Sequence, residues 1–61
     1  MDKKCLELRL DLINKNIEVY KRNAMKELEK EEMIPLTSNI LMIRDLKEQQ
    51  GLIEQLLESE E

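Results

Sequence analysis

The sequence predicts an all-α protein: an antiparallel helical hairpin that associates as a dimeric helical bundle. Three observations carry this prediction. Leu6, Leu10, Ile13, Ile17, Tyr20 and Ala24 step by 4, 3, 4, 3, 4, the apolar stripe that one helix of a coiled coil presents to another. Gly and Pro occur once each in 61 residues, so a single proline-marked break separates two long segments. Charged residues make up 39%, hydrophobic residues 41% and aromatic residues 2%, a balance typical of helical bundles.

The first helix is expected over about 3–33. Asp2 precedes it and can accept from the free amides of the first turn. Pro35 ends it, because the residue before a proline is pushed out of helical backbone space. Thr37, Ser38 and Asn39 can each cap a second helix over about 39–58, with apolar Ile40, Ile43, Leu46, Ile53, Leu56 and Leu57. The connection Ile34–Ser38 has a length normal for an antiparallel pair. The stripe of the first helix degrades at Glu27, where Leu28 takes over. The expected core is therefore Leu6, Leu10, Ile13, Ile17, Tyr20, Ala24 and Leu28 against Ile43, Leu46, Ile53 and Leu57. Gln50 falls inside the second stripe, where it either fixes register or is solvated because the helices have splayed. Gly51 costs about 1 kcal/mol relative to Ala in mid-helix and is the expected place for a bend.

Size constrains the rest. A single domain spanning 1–61 hides only about 60% of the surface its unfolded chain exposes, and disulfides, metals or self-association usually compensate. Cys5 is the only cysteine and there is no histidine, so an internal disulfide and a zinc site both lack their donors. A homo-oligomer is expected. No apolar run approaches the roughly 18 residues of a membrane span. Charges interrupt Leu6–Ile13 where a signal peptide would be apolar. A cytoplasmic protein without a membrane partner follows, and a lone reduced thiol fits that compartment.

Charge is uneven. Residues 1–30 carry eight basic and six acidic side chains, net +2, while residues 31–61 carry two basic and eight acidic, net −6. The whole chain is at −4, whereas a strong nucleic-acid binder carries a net basic patch. Another protein is the expected partner and nucleic acid is not.

The two predicted helices differ in length, roughly 46 Å against 30 Å at 1.5 Å per residue. Folded back, the second would cover the first only down to about Leu12, leaving Cys5–Leu12 as an overhang. At about 100° per residue, Leu6, Leu10 and Ile13 point one way, while Cys5, Leu8, Leu12 and Val19 point nearly opposite. These four are the candidate partner-binding residues: an exposed second stripe of leucines is a docking surface, or else the inside of a homodimer.

Catalysis needs a positioned nucleophile, base or metal. Histidine is absent, the side-chain hydroxyls are Tyr20, Thr37, Ser38 and Ser59, and no glycine-rich loop is available to hold a phosphate. No catalytic residue, metal ligand or cofactor is expected. Cys5 sits in the first turn beside Lys3 and Lys4, a setting that favours thiol reactivity; on an apolar stripe the same side chain acts as a small hydrophobe.

A competing period runs through the same residues. Leu6, Leu8, Leu10 and Leu12 alternate with Glu7, Arg9 and Asp11, as in a half-buried strand. This segment resembles the opening strand of ribbon–helix–helix repressors. The resemblance implies a strand–helix–helix dimer that binds DNA, with Glu7, Arg9 and Asp11 facing the bases, Asp11 capping the first helix and Thr37 or Ser38 opening the second. The stretch between those caps is longer than the family's, its glycine turn is missing, and two of the three groove-facing side chains are acidic. Leucine also favours helix over strand. Separately, Arg22, Met25 and Leu28, with Leu36–Leu41, are similar to the helical-hairpin phosphatases of sporulation response regulators. That likeness covers about half the chain and implies the hairpin shape. The family's functional Ser-Gln-x-Leu-Asp is replaced here by Ile43-Arg44-Asp45-Leu46-Lys47. The preferred reading is a small non-enzymatic regulator or adaptor that binds a protein through its leucine-rich N-terminal surface. The DNA-binding repressor and the response-regulator phosphatase are the alternatives.

Overall fold

The computed structural model describes residues 2–59 of the 61 and contains two α-helices, Lys3–Glu29 (α1) and Met33–Ser59 (α2), packed against each other as a hairpin. The two ends of the predicted 1–61 domain lie outside the described residues. Asp2 caps α1 as expected, its carboxylate accepting from the Lys4 amide at 3.3 Å. Residues 3–12 are helical and there is no strand among the described residues, so the ribbon of the strand–helix–helix alternative does not form. The helical period wins over the alternating one.

The turn lies earlier than the sequence predicts. α1 stops at Glu29, four residues short of 33, and α2 starts at Met33 instead of 39. Pro35, expected to terminate α1, instead occupies the first turn of α2. That position tolerates proline, because the amides of a first turn have no acceptor within the helix. Thr37, Ser38 and Asn39 therefore lie inside α2 and are not its cap; the Thr37 hydroxyl donates back to the Met33 carbonyl at 2.8 Å. What ends α1 is a pair of backbone bonds. The Glu32 amide donates to the Glu27 carbonyl at 2.9 Å and the Glu31 amide to the Leu28 carbonyl at 3.1 Å, the pattern of a Schellman cap. Its left-handed residue is Glu31, at φ 59°, where glycine is usual.

With the turn at 30–32, both helices have 27 residues, and the predicted overhang disappears. Leu6, Ile13 and Ile17 of α1 are buried in one cluster with Leu46 and Ile53 of α2, and Leu10, Tyr20 and Leu57 pack against it. Down the whole contact, the protected positions of α2 are 36, 39, 43, 46, 50, 53 and 57, again stepping by 3 and 4. Ala24 and Ile43 are half-buried in the seam as expected. Leu28 is a correction: it is 60% exposed. The seam keeps its register through Glu27, which is half-buried and accepts a hydrogen bond from the Asn39 side chain. A charged side chain is tolerated here because the amide satisfies it.

Gln50 is half-buried and donates to the Asn14 side chain at 2.6 Å, so the helices remain in contact there. α2 runs unbroken through Gly51. A Cβ built on Gly51 meets nothing within 4 Å.

Two substitutions should therefore raise stability without altering the hairpin. Gly51→Ala removes the helix-interior glycine cost of about 1 kcal/mol. Glu31→Gly relieves the left-handed backbone at Glu31, which costs an L-residue roughly 1–2 kcal/mol. Each should raise the thermal midpoint by about 4–8 °C per kcal/mol for a domain this small. The two gains should add, since the sites share no partner. Thermal melts followed by circular dichroism check both; an unchanged or lowered midpoint for Glu31→Gly would mean that the turn does not hold Glu31 left-handed.

Candidate docking surface

The helical spacing that puts Leu6, Leu10 and Ile13 in the seam turns Leu8 and Leu12 away from it. Leu8 is 63% and Leu12 58% exposed, and Val19 and Cys5 are exposed as well. Cys5, Leu8 and Leu12 line one shallow open groove with Leu6 and Arg9, so three of the four predicted residues come together. Val19 lies about two helical turns further along the same side. The Cys5 thiol faces the Asp2 carboxylate at 3.8 Å.

The surface is wider than the sequence predicts. A second groove, lined by Leu6, Arg9, Gln49, Leu52, Ile53 and Leu56, adjoins the first through Leu6 and Arg9. Both helices thus contribute. Leu52 is 61% exposed and Leu56 is exposed too. These two are missing from the sequence-predicted surface because a turn at 34–38 leaves them short of the N-terminal leucines. The contacts Asn14–Gln50 and Glu27–Asn39 fix the actual register. It sets Leu12 level with Leu52 and Leu8 level with Leu56.

The two flanks of the hairpin differ in chemistry. One carries both signs, Glu7, Asp11 and Glu18 with Lys4 and Lys21 of α1, and Glu54 and Glu58 with Arg44 and Lys47 of α2, all exposed. On the other, α1 presents Arg9, Lys15, Arg22 and Lys26 around its leucines, and α2 presents Asp45 and Glu48 around its own. Among the described residues two ion pairs form, Lys15–Asp11 at 3.1 Å and Arg44–Asp45 at 3.3 Å. Their side chains are more than half exposed, so neither contributes much to stability. This flank suits binding by apolar burial, with charge setting the orientation.

A third apolar patch, also outside the predicted site, sits at the turn end: Met33, Ile34, Thr37, Ser38 and Leu41 line an open groove. Ile34 is 87% exposed. The run Met33-Ile34-Pro35-Leu36 signals it in the sequence, but a turn assigned to 34–38 hides its helical character. Among the described residues no three His, Cys, Asp or Glu side chains gather as metal ligands, and no helix is long and apolar enough to cross a membrane.

No protein-family model, no curated protein and no solved structure matches this chain.

Proposed function

We propose that this chain is a small non-enzymatic regulator or adaptor that works by binding protein through the leucine flank. One observation carries the proposal: Leu8 and Leu12 of α1 and Leu52 and Leu56 of α2 lie exposed at matching levels, on adjoining grooves. Covering a fully exposed leucine is worth roughly 1.5–3 kcal/mol, and these four are about half to two-thirds exposed, so together they supply about 3–7 kcal/mol. Association costs about 4–15 kcal/mol. The two ranges overlap, which favours a reversible contact, as a regulator needs. Arg9 lies between the two leucine pairs and gives a partner one fixed charge to align on. A reducing cytoplasm, where Cys5 stays a thiol, is the compartment that fits.

The test is site-specific photo-cross-linking inside cells that express the chain. A photoreactive residue in place of Leu12 should form adducts with protein, and these should vanish when Leu8 and Leu52 are both changed to Glu. Both positions are solvated, so circular dichroism should show the helicity of that variant unchanged. Absence of any protein adduct, or adducts indifferent to the two glutamates, would overturn the proposal.

A further inference from the structure

We infer that the occupant of the leucine flank is a second copy of this chain, packed about a two-fold axis parallel to the helices, with both turns at the same end. The inference rests on the reading of this flank as a docking surface and names its partner. Facing copies can be related by a two-fold along the hairpin or across it, and the charges separate the two. With the axis along the hairpin, α1 of one copy lies over α2 of the other. The strip bearing Arg9, Lys15, Arg22 and Lys26 then meets the strip bearing Asp45 and Glu48. Both copies keep the register fixed by Asn14–Gln50 and Glu27–Asn39. Leu12 therefore faces Leu52 of the other copy and Leu8 faces Leu56, each contact occurring twice by symmetry. Lys15 stands level with Glu48 of the other copy, and Arg22 comes within a turn of Asp45.

With the axis across the middle of the hairpin, the placement that buries the whole face, α1 lies over α1 running the opposite way. The basic strip then faces itself, and Leu8 and Leu12 meet Lys26 and Arg22 of the other copy. Like charges opposed across a contact are strongly disfavoured, and the leucines would cover nothing apolar. The Lys15–Asp11 and Arg44–Asp45 pairs are solvent-exposed and weak enough to exchange partners. The area also suffices. Two helices of 27 residues, about 40 Å long and about 10 Å apart, offer a face of about 800 Å², the amount each partner buries in an interface of standard size.

The test exploits the Leu12–Leu52 contact. Purified wild-type chain should run as a dimer at micromolar concentration in sedimentation or light scattering. Leu12→Lys alone and Leu52→Glu alone should each halve the mass while leaving helicity unchanged, because each places a charge against leucine. Mixing the two variants should restore the dimer: one side of the mixed pair joins the new lysine to the new glutamate, and the other keeps the native leucines. A second measurement places the turns. In a Cys5→Ala, Glu32→Cys chain carrying a spin label, the two labels should lie roughly 20 Å apart, about two interhelical spacings. Turns at opposite ends of fully overlapped hairpins would set them apart by nearly the 45 Å length of the molecule. A monomeric wild type, a dimer untouched by the single variants, no rescue on mixing, or the long label distance would each overturn the inference. A monomeric chain whose Leu12 still cross-links to some other protein would sink this inference and leave the proposed function standing.

Discussion

Everything in this hairpin depends on one seam. Six side chains, Leu6, Ile13, Ile17, Leu36, Leu46 and Ile53, are buried, and with the half-buried Leu10, Tyr20 and Leu57 packed against them and two polar bridges they hold the 27-residue helices together. Each helix closes its own backbone hydrogen bonds, so the tertiary contact contributes almost only apolar burial. That gives affinity between helices without much geometric specificity, since aliphatic side chains tolerate sliding by a turn. Here the polar members of the seam decide the register. Glu27 with Asn39 near the turn, and Gln50 with Asn14 near the open end, can bond only when the helices are aligned as they are. A one-turn slip would separate both pairs and leave their polar groups to water.

The same two bridges explain why the seam was readable in the sequence and its continuation was not. From Leu6 to Ala24 the 4-3 spacing is carried by aliphatic residues and Tyr20, and the burial follows it residue by residue. At Glu27 and Asn39 the spacing persists while the chemistry changes, so a pattern defined by hydrophobicity jumps to Leu28, which solvent in fact reaches. Gln50 illustrates the opposite outcome: being flanked by Leu46 and Ile53, it kept its place in the stripe despite its polarity.

The turn was misplaced for a separate physical reason. A proline ends a helix when it lies beyond the first turn and opens one when it lies within it, and its identity alone does not say which. The residues that do end α1 are Lys30, Glu31 and Glu32, three charged side chains with no turn signature. Glu31 adopts left-handed backbone only because the two capping bonds, from Glu31 to Leu28 and from Glu32 to Glu27, hold it there. Moving the turn by a few residues has a large effect, because it changes which residues of α2 lie beside each residue of α1. An expected overhang of bare leucines became a paired end, and Leu52 and Leu56 joined the surface.

The alternation of Leu6, Leu8, Leu10 and Leu12 with charged residues finally takes on a different meaning. Two residues apart on a helix is about 200°, so successive members of that run point to nearly opposite sides. Leu6 and Leu10 enter the seam, while Leu8 and Leu12 emerge on the outside. In a strand the same alternation separates an apolar face from a polar one. In a helix it makes two apolar faces, with Arg9 left between the grooves they border and Glu7 and Asp11 turned to the opposite flank. α2 of its own chain covers the first of these faces and leaves Leu8 and Leu12 exposed. The strand-like pattern in the first dozen residues thus becomes, on a helix, one leucine face in the seam and a second that is the face proposed to pack against another copy.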